Sequence, residues 1–75
     1  MNEMSRMRDA ALMKKLRIRR RVLEMSQREL AEVSGYGRER ISQWEQGHRL
    51  PNISQFEDLA KALGLRIALV EIDEL

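Results

Sequence analysis

Ser26-Gln27-Arg28-Glu29-Leu30-Ala31, then Gly35, then Ile41-Ser42-Gln43-Trp44-Glu45-Gln46-Gly47: the fold turns on how this stretch is read. Ser26 and Glu29 have the S-x-x-E spacing of a capping box, in which the serine oxygen accepts from an early helical amide and the glutamate reaches back. A helix therefore starts here. Leu30 and Ala31 form its apolar face, with Val33 at the margin, and Gly35 stops it, because glycine tolerates the positive φ that closes a helix. Past Tyr36-Gly37 a second short helix reads Arg38 to Gln46. Only Ile41 and Trp44, three apart, can face a core from it, and Gly47 ends it.

Upstream, Leu12, Leu16, Arg20 and Leu23 repeat at three to four residues and share one face of a helix from Met7 to about Glu24. Residues 1–6 show no sustained period and are expected to fray as a flexible N-terminal tail. Downstream, Leu50-Pro51 leads to Asn52, an N-cap that Gln55 can answer. Ile53, Phe56, Leu59, Ala60 and Leu63 then make a fourth amphipathic helix closed by Gly64. Residues 65–72 are apolar on both alternating faces with three β-branched residues, which reads as a strand in preference to a fifth helix. The domain is thus expected over 7–64, with a C-terminal strand and tail over 65–75.

The 75 residues allow one small domain, and none is cysteine. A disulfide framework and thiolate metal sites are excluded, and His48 alone cannot assemble a zinc site without carboxylates in every other position. The five methionines read as tail and gap-filling core, not as a ligand set. No apolar run exceeds four residues, so no membrane span or secretory segment is expected and the location implied is cytoplasmic. Catalysis needs a nucleophile and base in a pocket; one histidine, no cysteine and no glycine-rich phosphate loop supply no such set. Neither enzymatic activity nor a cofactor is expected. The net charge of +2 conceals an asymmetry: residues 1–49 carry twelve Lys/Arg against seven Asp/Glu, a balance of +5, whereas 50–75 carry two against five, a balance of −3. A polyanion against the basic part is one reading, and a solvated helix face is the other.

Two short helices around a tight glycine turn, the second polar almost all round, are what is needed to place one helix in a DNA major groove. At these residues the chain resembles the lambda-repressor-like, or XRE-type, helix-turn-helix family, over about residues 12–64. Ser26 to Ala31, Gly35 and Ile41 to Gly47 stand where that family has S-Q-x-x-L-A, a turn glycine and I-S-x-W-E-x-G. The fold implied is mainly α, a four- to five-helix domain. The departure is Gly37, where the family usually has Ser or Thr as the cap of the reading helix.

The resemblance implies that Gln27 touches the DNA backbone and that the helix from Arg38 reads bases. Arg38 or Arg40 can fork onto guanine, Gln43 can pair bidentately with adenine, and Glu39 can accept from cytosine N4, with Ser42 on the same surface. Glu39 has two rival roles, repulsion of phosphates or a hydrogen bond to Gln43. Gln27 at a helix N-terminus suits a phosphate. Tyr36, His48, Arg49 and Asn52 complete the candidate phosphate contacts. For Tyr36, packing of the ring under the turn is the favoured alternative, and for His48 plain solvent exposure is an equal one. Arg20 lies on an apolar stripe and must be paired. The family's arginine–glutamate pair implies Glu45 as its partner, while Arg17, Arg19 and Arg21 read as a solvated face.

Double-stranded DNA, a second copy of the chain and, if the C-terminal strand places it in the antitoxin branch of the family, a protein toxin are the partners this reading implies. The leading function is a sequence-specific repressor acting as a homodimer on an inverted repeat. A stand-alone or phage-type repressor is one alternative, and an adaptor that binds protein on the same fold is another. The expected dimer interface is Leu65, Ile67, Ala68, Leu69, Val70 and Ile72: a lone strand has no ladder partner except a second copy.

Overall fold

The computed structural model describes residues 3–73. Four helices follow one another: α1 (Glu3–Val22), α2 (Gln27–Ser34), α3 (Arg38–Gln46) and α4 (Ile53–Ala62). α2 packs against α3 and α4, and α1 closes the other side by touching the same two helices.

The helix ends follow the sequence closely. Ser26 accepts from the Glu29 amide at 3.0 Å, and the Glu29 carboxylate accepts from the Ser26 amide at 3.0 Å. Asn52 and Gln55 form the equivalent box at α4, with both bonds at 2.8 Å. Gly35 ends α2 at φ 83° and its amide donates to the Ala31 carbonyl. Three other helix ends share one closure, in which two successive amides reach back to carbonyls three and five residues earlier. Gly47 and His48 do so for α3, Gly64 and Leu65 for α4, and Glu24 and Met25 for α1. At the first two the left-handed residue is glycine; at the third it is Glu24, with φ 56°.

The core consists of Met13, Leu16, Leu30, Ile41, Trp44, Phe56, Leu59, Ala60 and Leu63, with Leu12, Met25, Ala31, Tyr36, Ala62 and Ile67 packed around it. Leu16 and Arg20 occupy the expected stripe of α1, but Met13 is the buried neighbour and Leu23 is left 42% exposed. Val33 and Ile53 also face solvent.

Two expectations are corrected. The helix begins at Glu3, so residues 3–6 belong to α1 and not to a frayed tail; residues 1–2 lie outside the described residues. Glu, Met and Arg are good helix formers. At the other end, residues 65–73 form neither strand nor fifth helix. Among the described residues no strand exists for this segment to pair with, and a ladder needs two. Only Ile67 reaches the core; Leu65, Ala68, Leu69, Val70 and Ile72 are exposed, Leu69 fully so.

Candidate nucleic-acid interface

α3 is nine residues long and its orientation is set by two side chains. Ile41 is 0% and Trp44 3% exposed, both facing the core. With those directions fixed, the 3.6-residue period puts Glu39, Ser42 and Gln43 opposite the core and Arg38 and Arg40 on the flanks; Arg38, Glu39 and Arg40 are exposed, and Ser42 and Gln43 are half-buried. Among the described residues no hydrogen bond or ion pair takes the side chains of Arg38, Glu39, Arg40 or Gln43, so the hydrogen bond to Gln43 that was one rival role for Glu39 is not made. Ser42 accepts from Gln46 Nε2 at 3.0 Å.

The turn is braced from beneath by Tyr36. Its ring meets Trp44 edge to face, centroids 5.2 Å apart at 76°. Its hydroxyl donates to Asp58 Oδ2, tying the turn to α4. That hydrogen bond, then desolvation and the Asp58 charge, raises the Tyr36 pKa against a smaller opposing effect of Arg40. The geometry is that of the packing alternative for Tyr36. Beside it a depression of ≈ 590 Å³ is lined by Gly35, Tyr36, Gly37, Glu39, Arg40, Gln43 and Arg49. His48, Arg49 and Asn52 are exposed at the end of α3 and in the loop after it. Asn52 Oδ1 is committed to its cap.

Behind α3 lies the ion pair that the resemblance implies. Arg20 Nε donates to Glu45 Oε2 at 2.8 Å and Nη2 to Oε1 at 2.9 Å, a bidentate fork. Arg20 Nη1 also donates to the Met25 carbonyl at 2.7 Å. Exposure of the two side chains is 10% and 2%. Burial pushes the Glu45 carboxyl up, but hydrogen bonds from Arg20 and Gln27 and the charges of Arg20 and Arg17 outweigh it, and its pKa is lowered. The Arg20 pKa is raised, chiefly by its hydrogen bond to Glu45.

Three residues take roles beyond those expected of them. Gln27 Nε2 donates to Glu45 Oε1 at 3.0 Å, so the side chain expected at a phosphate also belongs to the ion-pair network. Arg17 Nε stands 3.8 Å from Glu45 Oε1. Arg19 Nε donates to the Leu63 carbonyl at 3.0 Å and so binds the end of α4 to α1. The signal for Arg17 was present: it precedes Arg20 by one helical turn and shares its face. Nothing local announced Arg19, whose partner is 44 residues away.

No group of three or more His, Asp or Glu side chains among the described residues could hold a metal ion. No described helix is long and apolar enough to cross a membrane.

Comparison with known proteins agrees with this arrangement. The chain is 44% identical over 54 residues to the uncharacterized HTH-type transcriptional regulator y4dL of Sinorhizobium fredii, an alignment covering 72% of this chain and 28% of the relative. The chain thus spans little more than a quarter of that protein. No solved structure matches. The family model described as helix-turn-helix matches residues 14–70, taking in the second half of α1 from residue 14 and all of α2, α3 and α4. The chain belongs to the XRE-type helix-turn-helix family.

Proposed function

We propose that this chain is a DNA-binding transcriptional regulator that lays α3 in the major groove of duplex DNA. The observation that supports it best is the build of α3: an outer surface of Arg38, Glu39, Arg40 and Gln43 that takes part in no hydrogen bond or ion pair among the described residues, on a helix fixed from behind by Ile41, Trp44 and the Arg20–Glu45 fork. In this reading Arg38 and Arg40 address guanine, Gln43 adenine, and Glu39 and Ser42 adjacent edges. His48, Arg49 and Asn52 hold backbone phosphates. Gln27 gives one amide hydrogen to Glu45, which fixes the orientation of its carboxamide and leaves the second hydrogen for a phosphate. Tyr36 acts by bracing the turn.

The finer reading is a repressor that binds as a homodimer to an inverted repeat, with the two α3 helices one DNA turn, ~34 Å, apart. The antitoxin reading, with its protein toxin, leaned on a C-terminal strand that the described residues do not form; it is set aside.

Selection from a random duplex library, followed by competition against scrambled duplex, tests the proposal. Gln43→Ala and Arg38→Ala are each expected to weaken the selected site by about 1–3 kcal/mol while leaving scrambled duplex nearly unchanged. Equal losses on both duplexes would make the two residues phosphate contacts, and no duplex binding even at low salt would favour a protein-binding adaptor.

A further inference from the structure

α1 carries two apolar stripes. One, with Met13, Leu16 and buried Arg20, faces the core. The other consists of Met7, Ala11, Ile18 and Val22, whose positions i, i+4, i+11 and i+15 fall on the opposite face. Met7 is 66%, Ile18 52% and Val22 68% exposed. Lys14, Lys15 and Arg21 flank this outer stripe and are also exposed.

The same chain holds a segment of complementary character. After Gly64 the backbone leaves α4 beside α1, where Arg19 grips the Leu63 carbonyl, and Ile67 makes the last contact with the core. Beyond it Leu69, Val70 and Ile72 are exposed and alternate with the acidic Glu71 and Asp73. Apolar and acidic in short alternation, residues 68–73 match a stripe that is apolar and basic. Within one chain the segment finds no seat, since Leu69 is completely exposed.

We infer that two copies of the chain associate by reciprocal exchange, the 68–73 segment of each lying on the outer stripe of α1 of the other. Each chain offers one seat and one occupant, so a two-fold axis satisfies both at once and leaves no unfilled end to propagate. Burying Leu69, Val70 and Ile72 against Met7, Ile18 and Val22 supplies the hydrophobic part. Glu71 and Asp73 beside Lys14 and Lys15 fix the register. The inference deepens the dimer part of the proposed function by naming its surfaces, and it stands without the DNA reading.

Sedimentation equilibrium of the full chain, with no DNA present, tests it with two charge-reversed variants, Lys14→Glu/Lys15→Glu and Glu71→Lys/Asp73→Lys. The wild type is expected to dimerise with concentration, and each variant alone to dimerise about ten-fold more weakly. An equimolar mixture of the two should regain at least wild-type association, because both exchanged contacts are then attractive. Ile18→Asp, at an exposed position, should weaken association without lowering the melting temperature of the dilute monomer. A wild type that stays monomeric overturns the inference, as does a dimer that neither reversal affects. Effects on melting that are independent of concentration would seat the segment on its own chain. If reversal at Lys14 and Lys15 leaves association intact and weakens only duplex binding, measured separately, the stripe is a DNA flank instead.

Discussion

Arg20 and Glu45 illustrate how much a single residue's chemistry decides here. Neither charge is tolerable alone where it sits, and the fork with its further bonds to Met25 and Gln27 leaves no buried side-chain nitrogen or oxygen without a partner among the described residues. Buried ion pairs add little net stability, but half of one is costly. Removing either partner should therefore destabilise by about 3–5 kcal/mol, while replacing both by well-packed apolar residues should cost much less. Chemical denaturation of the two singles and the double measures this, and additive costs would show that the pair is not coupled. Gly37 makes the opposite case. It caps α3 with φ −67° and ψ 145° but offers no side-chain acceptor, and a Cβ there meets nothing within 4 Å. Gly37→Ser is expected to stabilise by about 0.5–1 kcal/mol, through a new cap bond and a less flexible unfolded chain. Thermal melts check it; a lower melting temperature would mean that the serine cannot reach the α3 amides.

At the scale of elements, the ends of helices were legible and the use of their faces less so. Capping boxes and stop glycines are local chemistry, so Ser26, Glu29, Gly35, Asn52, Gln55 and Gly64 could be placed before any packing was known. The start of α1 was not, because residues 3–6 lack an apolar period and helix propensity alone leaves no pattern. The strand expected over 65–72 failed for a related reason: β-branched content describes what a segment tolerates, and pairing depends on a partner elsewhere. On the interface, the outward surface of α3 followed from Ile41 and Trp44 alone, whereas the bond of Gln27 to Glu45 and that of Arg19 to Leu63 needed the tertiary fold. Glu24 provides a prediction at this scale. Its left-handed backbone costs a side-chain-bearing residue about 1–2 kcal/mol, of which roughly half is returned to the greater freedom of an unfolded glycine. Glu24→Gly should raise stability by about 0.5–1 kcal/mol without changing the folded structure, as paired denaturation curves and amide chemical shifts would report.

For the molecule as a whole, pH acts through carboxylates that the fold holds charged. Glu45 is held below its ordinary value of 4.5 by the balance described above, and Glu29 below it by hydrogen bonds from the Ser26 backbone and side chain. In the window just below 4.5 the unfolded chain binds more protons than the folded one, so stability rises with pH there. The contribution is complete above the unfolded pKa and disappears as pH falls through the folded one. Melting temperatures should be level near neutrality and decline below about pH 4.5. Glu29→Gln, which can keep the capping box, should make that decline shallower. The shape of the molecule has a separate consequence. Its radius of gyration of 12.9 Å exceeds the roughly 11 Å of a compact chain of this length, and α1 is part of the reason. Among residues 6–22 the first side chain in the core is Met13, with Leu12 half-buried beside it, although the helix begins ten residues earlier than Met13. Amides before that contact are protected only by helix formation, and those after it by the opening of the whole domain. In a hydrogen-exchange time course of the monomer α1 would thus divide into two kinetic populations, a fast half up to about Ala11 and a slow half from Leu16, within one unbroken helix.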